Sequence, residues 1–197
     1  RLTHAALTLQ TGLSRSRMDI DVAGSGAHTH LYGAVIAAGT QHVDHNTLID
    51  HKAPGCESTQ LYKYVLDGEA TGAFAGRVLV REGMQGTESH MHNANLCGTD
   101  RARMFTQPML EIYADDVQCS HGSTVGQMDD AALFYMQQRG IDINEARQLL
   151  QEAFAADVID HIALPALRDR LTHLVAKRFR GELARCEGCA FKKLHSK

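Results

Sequence analysis

The segment EIYADDVQCSHGSTVG, residues 111–126, places a thiol and an imidazole two positions apart, at Cys119 and His121. In an extended chain alternate residues point to the same side, so these two side chains would share a face. Together they suit zinc or iron–sulfur species, although two ligands are too few for stable coordination. The alternatives are a catalytic Cys–His pair, or a buried strand-end cysteine beside a surface histidine. Local chemistry by itself favours the last of these.

Histidine is unusually frequent: the chain has 12 histidines, and nine of them lie between residues 4 and 121. Two H-x-H pairs occur, His28 with His30 and His90 with His92. On a strand, each pair lies on one face, and its two imidazoles can bind one metal ion. Polar surface positions without a metal are the favoured interpretation of both pairs.

Three further histidines, His42, His45 and His51, lie in one alternating segment. Because they straddle both faces of that segment, they cannot all converge on one ion without a bulge. We expect them to be structural or surface histidines.

The cysteines are few and scattered, at positions 56, 97, 119, 186 and 189. This odd number differs from the dense, even framework of a small secreted domain and indicates free thiols in a reducing cytosol. Cys186 and Cys189 form one CxxC, but a structural zinc site needs two more ligands and only His195 is nearby. The βαβ context of a thioredoxin-like motif is also missing. We assign this pair no role.

The composition is that of a globular protein, with 197 residues, 44% apolar and 22% charged. A formal charge of -3 provides no basic surface for nucleic acid or an anionic membrane. The uncharged apolar stretch at residues 31–40 is too short to span a bilayer. Neither a P-loop nor a G-x-S-x-G motif is present, so ATP chemistry would have to come from a partner. The chain opens at Arg1 rather than Met, which suggests a fragment or a processed chain.

The first part of the chain, up to Cys119, predicts a succession of short strands. The alternating segments are residues 18–22, 30–36, 43–49, 61–66, 73–80, 91–96 and 109–117. Many short strands at steady spacing are typical of a sandwich, a barrel or a β-solenoid. The pattern does not choose among these folds, although an aromatic content of only 6% slightly favours the solenoid.

After Gly126 the pattern changes to a helical period. Asp129 or Asp130 can cap a helix over residues 131–139, Asp142 or Asn144 a second helix, and Pro165 suits the first turn of a third. The predicted inner faces are Ala146, Leu149, Leu150, Ala153, Phe154, Ile159 and Ile162, then Leu167, Leu171, Leu174, Val175 and Phe179. The basic run at residues 177–180 is expected to be a solvated helix end.

Longer motifs resemble the SufB/SufD family of iron–sulfur cluster assembly subunits. Residues 111–126 and the following MDDAALFYMQQRGI closely resemble that family's signature region. Residues 44–80 are similar to its Cys-x-Ser, QLYK and F-x-G segment, and EARQLLQEAFAADVID to its C-terminal helices. The resemblance covers essentially the whole chain. The motifs ADDVQCSHG and QLYK favour the SufD branch over the SufB branch.

The resemblance implies a right-handed parallel β-helix over residues 1–126 and an α-helical subdomain over residues 127–197. It implies a non-catalytic, cytoplasmic scaffold that pairs with a SufB-like subunit and docks a SufC-like ABC ATPase on its C-terminal helices. In this family a transient iron–sulfur cluster forms where the two β-helices meet. His121 matches the family histidine of that meeting point, and Cys119 the family thiol. The isolated chain is expected to hold neither a cluster nor ATP.

Two alternatives stay open beside this interpretation. One is a β-helix metal-dependent hydrolase or lyase that uses the H-x-H pairs, although His90 and His92 match no known site residues of the family. The other is a structural homodimer through an exposed sheet edge. The N-terminal helical region usual in the family is not present, which also suggests a shortened chain.

Overall fold

The computed structural model describes residues 1–183. The strands are β1 Leu2–Thr8, β2 Leu13–Val22, β3 His28–Ala37, β4 His42–His51, β5 Glu57–Leu66, β6 Thr71–Val80, β7 Thr87–Cys97, β8 Arg103–Ile112 and β9 Val117–Gly126. The helices are α1 Asp130–Gln138, α2 Ile143–Ile159 and α3 Pro165–Phe179. No helix within the described residues is long and apolar enough to cross a membrane. The CxxC pair Cys186 and Cys189 lies outside the described residues.

The strands alternate between two parallel sheets. One sheet has the order β1-β3-β5-β7-β9, and the other has the order β2-β4-β6-β8. Each strand pairs with a strand one full coil later, as His90 of β7 pairs with Ser120 of β9, 30 residues further on. This arrangement is a parallel β-helix, and it confirms the predicted solenoid with C-terminal helices. Right-handedness is the expected hand for parallel crossover connections.

The interior of the coil is filled by alternate residues of every strand. The largest fully enclosed side chains include Tyr62, Tyr64 and Phe74. Glycine makes room for the Tyr62 ring, because a Cβ atom on Gly33 would lie 2.2 Å from its Cδ1. These close approaches explain why small residues recur at inward positions of a narrow coil.

Helices α2 and α3 cover part of the outer face of the five-stranded sheet. Ile36, Val65 and Leu96, from three neighbouring strands, form one apolar cluster with residues of both helices, among them Ile159 and Val175. Because α2 covers it, most of β3 is buried on both faces. The division into domains at residue 126 therefore stays a prediction, since strands and helices share this cluster.

The helix ends follow the predicted local signals. The Asp129 and Asp142 side chains accept hydrogen bonds from the backbone N–H groups of Ala131 and Asn144, which caps α1 and α2. Pro165 occupies the first turn of α3. Gly140, after α1, has a φ of 82°, the left-handed conformation expected of a C′ glycine.

Three sequence predictions of local structure were wrong. The single strand predicted over residues 109–117 is the end of β8, a corner, and the start of β9. Leu149 and Leu167 were placed on inner helix faces but are each 42% exposed, and Ala153 is also exposed. Arg178 is only partly solvated, because it donates hydrogen bonds to the Leu9 carbonyl and, at 3.3 Å, to Gln41 Oε1, whereas Arg180 of the same basic run is exposed as predicted. In each case tertiary contacts, rather than local pattern, decided the outcome.

Candidate functional site

Strand β9 carries the candidate site at one end of the β-helix. It pairs with β7 along one edge, and Asn95 Nδ2 of β7 donates to the Thr124 carbonyl at 2.8 Å. Across the interior, the hydroxyls of Thr106 and Ser123 lie 2.8 Å apart and join β8 to β9. Within the described residues, no strand pairs with the other edge of β9. Its backbone donors and acceptors are therefore available to another strand.

Cys119 and His121 share the inward-facing side of β9, as their spacing predicted. In the register, Cys119 pairs with Ser89 and His121 pairs with Met91, both of which are buried inward residues of β7. Because β9 is the final strand of its sheet, Cys119 is only partly buried and His121 is exposed. The structure therefore places both side chains together at the open end of the coil.

The Cys119 thiol is an apolar neighbour of the core rather than an activated nucleophile. It packs against the buried cluster of the coil interior. Burial raises the pKa of the Cys119 thiol, and a hydrogen bond with the Ser89 backbone opposes this shift only in part. The thiol therefore stays protonated at neutral pH until a metal ion or another cation favours the thiolate.

A column of polar groups inside the coil leads to Cys119. His51 Nε2 lies 2.9 Å from Ser58 Oγ, and Ser58 Oγ lies 2.7 Å from Ser89 Oγ. Ser58, Ser89 and Cys119 are successive register partners on β5, β7 and β9. Sequence reasoning missed this column, and the only signal for it was the recurrence of polar residues at inward positions of successive coils.

The predicted structural histidines divide between the two faces of β4. His45 and His51 are buried inside the coil, whereas His42 faces outward and is partly exposed. His45 Nδ1 lies 2.9 Å from the Tyr64 hydroxyl. Desolvation lowers the pKa of both buried imidazoles, so they are neutral members of the core near pH 7.

The two H-x-H pairs lie on the outer face of the five-stranded sheet, and β5 separates them. His28 Nδ1 contacts Glu57 Oε2 at 2.8 Å, whereas His30 is 9% exposed and stacks on Tyr32. His90 and His92 are both exposed. The pairs therefore do not combine into one site of four imidazoles. Within residues 1–183 no group of three or more His, Cys, Asp or Glu side chains is placed to hold a metal ion.

Comparison with known families identifies the class of protein to which this parallel β-helix belongs. The SufBD core domain of the SUF iron–sulfur cluster assembly system matches residues 1–154. The chain therefore belongs to the SufBD family.

Curated relatives agree with this assignment. An iron–sulfur cluster assembly SufBD family protein of Synechocystis is 36% identical over 172 residues, which is 87% of this chain and 38% of that protein. A SufBD family protein of Mycobacterium tuberculosis is 35% identical over 179 residues, 87% of this chain and 45% of that protein. The iron–sulfur cluster assembly protein SufD of Escherichia coli is 36% identical over 138 residues, 70% of this chain and 33% of that protein. The predicted SufD-like character is confirmed, and the chain spans less than half the length of each of these relatives.

Proposed function

We propose that this chain is a non-catalytic scaffold subunit of the SUF machinery, and that β9 contributes Cys119 and His121 to a site completed by a SufB-like subunit. The observation that carries this proposal is the position of both side chains on the terminal strand of the sheet, one edge of which has no partner strand within the described residues. A soft thiolate and an imidazole are suitable ligands for a nascent iron–sulfur cluster. The cluster is the cargo of the complex, and it resides here only in transit.

The surroundings of β9 support pairing with a second subunit. An edge strand with open backbone groups is a ready template for another strand. Near it, Tyr113 is 63% exposed and Val125 is 52% exposed, so apolar surface lies beside the open edge. A SufB-like partner that adds to this edge would cover that surface and bring its own ligands to Cys119 and His121. The isolated chain can also pair with itself by the same edge.

The helical part supports docking of a SufC-like ABC ATPase. Large apolar side chains are exposed there, namely Phe134, Tyr135, Leu149, Leu164 and Leu167. Such a concentration on a small helical unit is typical of a protein interface. ATP hydrolysis would then occur on the partner, in keeping with the lack of a P-loop in this sequence.

Cys56, Cys97 and Cys119 are free thiols, and we expect the cytosol as the location.

The test is co-expression of the chain with its SufB-like and SufC-like partners, followed by measurement of iron, sulfide and the absorption spectrum of the complex. His121→Ala removes a ligand without touching the buried core, so we expect the complex to assemble but to lose most of its cluster. His28→Ala is the matched control, because His28 is an exposed histidine on β3 of the same sheet, three strands away from β9. Wild-type cluster content in the His121→Ala complex would refute the proposed site.

A further inference from the structure

The pair His90 and His92 occupies the outer face of β7 and has no part in the proposed cluster site. Both side chains are exposed and, two residues apart on a strand, project from the same face. Glu88, two positions earlier on that face, adds a negative charge beside them. The pair therefore presents two imidazoles and a nearby carboxylate to solvent.

In both rings the Nδ1 atom lies close to β9. His90 Nδ1 lies 2.8 Å from Ser120 Oγ. His92 Nδ1 lies over Gly122, only 3.2 Å from the point that a Cβ atom would occupy. Glycine at position 122 is therefore what allows the His92 ring to rest on β9. In the tautomer in which His90 Nδ1 donates to the Ser120 hydroxyl, the lone pair is on Nε2, which is the arrangement that orients metal-binding histidines.

A third imidazole approaches the same place from the helical part. His161, just after α2, stacks on Tyr32 at 4.4 Å between ring centroids, and its Nδ1 contacts the Asp157 carbonyl at 2.7 Å. Its Nε2 is therefore also the nitrogen available to a ligand. His90, His92 and His161 line one groove of about 440 Å³, together with Leu61, Tyr32 and His121 of the proposed cluster site. We name this space the outer groove.

The geometry points to a transition-metal site in the outer groove, in which His90 and His92 chelate one divalent ion through Nε2. Because no three ligating side chains in the described part of the chain converge on one point, water completes the coordination. Imidazole nitrogen favours borderline ions such as Zn²⁺, Ni²⁺, Cu²⁺ and Fe²⁺ over Mg²⁺ or Ca²⁺. His121 of the proposed cluster site lines the same groove. The two chelating imidazoles belong to β7, however, so the inference does not depend on the proposed scaffold function.

The other H-x-H pair provides an internal comparison. His28 is engaged with the Glu57 carboxylate at 2.8 Å, and His30 is 9% exposed. Because His30 is nearly buried, that pair does not present two imidazoles to solvent. The same sequence motif therefore has different chemistry on β3 and on β7, which makes His28 a matched control for His90.

The experiment is calorimetric titration of the full chain, without an affinity tag, with Ni²⁺ and with Mg²⁺. The chain carries Cys186→Ser and Cys189→Ser throughout, so that the CxxC thiols cannot bind the probe. We expect one equivalent of Ni²⁺ to bind and Mg²⁺ not to bind. His90→Gln and His92→Gln should each weaken Ni²⁺ binding strongly, and Ser120→Ala by roughly 10-fold through loss of ring orientation.

The control variant separates this site from the other H-x-H pair. His28→Gln should leave Ni²⁺ affinity unchanged. Ni²⁺ binding by this chain alone needs neither a partner subunit nor a cluster, so failure of the scaffold proposal would not alter this result. Absence of Ni²⁺ binding would overturn the inference. Wild-type affinity in the His90→Gln/His92→Gln double variant, or an equal loss in His28→Gln, would overturn it as well.

Discussion

At the scale of single residues, environment rather than residue type separates the histidines of this chain. His51 is completely enclosed and contacts Ser58, whereas His121 is exposed at the end of the same interior. Its other ring nitrogen, His51 Nδ1, is buried without a hydrogen-bond partner. Charging that ring would place an unsatisfied cation inside the coil. His51 is therefore a structural imidazole and His121 an available ligand.

His51 gives the fold a predictable dependence on pH. Burial lowers the pKa of His51 from its ordinary value of 6.5, and neighbouring Asp50 opposes the shift only weakly. The unfolded chain then binds more protons than the folded chain below about pH 6.5, so the free energy of unfolding falls as pH falls from there towards the folded pKa. For His51→Gln, we expect this fall between pH 7 and 5 to shrink, by at most about 1.4 kcal/mol per pH unit.

The measurement is urea unfolding of wild type and variant at several pH values. His45 and His30 also have lowered pKa values through burial, so part of the acid sensitivity should remain in His51→Gln. An unchanged slope in His51→Gln would show that His51 is not the source of the effect.

At the scale of elements, the coil depends on large side chains set against glycine. The Tyr62 ring from β5 lies against Gly33 of β3, its direct register partner. Tyr62 is 2% exposed and also packs against Phe74 at 4.8 Å between ring centroids. The ring has no free space into which it can move, so the spacing of β3 and β5 fixes both residues.

Gly33→Ala is expected to destabilise the β-helix. The new Cβ atom would lie 2.2 Å from Tyr62 Cδ1, and over-packing of this kind costs about 1–3 kcal/mol. Chemical denaturation measures the loss, with Gly12→Ala as the control because no atom lies within 4 Å of its new Cβ. If the ring is the obstacle, Gly33→Ala and Tyr62→Leu should be less than additive in a double-mutant cycle. Strict additivity would argue against this explanation.

At the scale of the whole molecule, the described part has an open coil end and an exposed helical surface, and each is a proposed docking surface for a different partner. The open end carries Cys119 and His121 on β9. The helices are fixed to the coil by apolar packing and by the ion pair of Lys63 with Asp157 at 2.5 Å. A partner bound to the helices would therefore contact a unit that packs directly on the five-stranded sheet.

Docking of the ATPase predicts a specific loss of association. Phe134 is 63% exposed, so Phe134→Ser should leave the thermal unfolding temperature near that of wild type. If Phe134 lies in the interface, the variant should recover less SufC-like subunit on co-purification, because an exposed aromatic anchor is removed. Phe105→Ser is the control, since Phe105 is 60% exposed on β8, away from the helices. Equal recovery with both variants would contradict docking at Phe134.

The sequence by itself determined the local features and the family. Alternation predicted most of the strands, and the caps at Asp129 and Asp142 and the proline at position 165 predicted the helix starts. These signals depend on neighbours within a few residues, so they can be read without a fold. The shared face of Cys119 and His121 followed in the same way from their spacing of two.

Only the tertiary structure decided which faces are covered and which stay open. Leu149 and Ile159 both belong to the apolar face that was predicted for α2, yet only Ile159 packs against the sheet. His30 and His90 each belong to an H-x-H pair, yet His30 is buried and His90 is exposed. Burial depends on where the coil ends and where the helices pack. Both are decided by contacts between residues that are distant in the sequence. For that reason the sequence predicted the candidate cysteine and histidine ligands, while the structure decided which of these side chains a partner or an ion can reach.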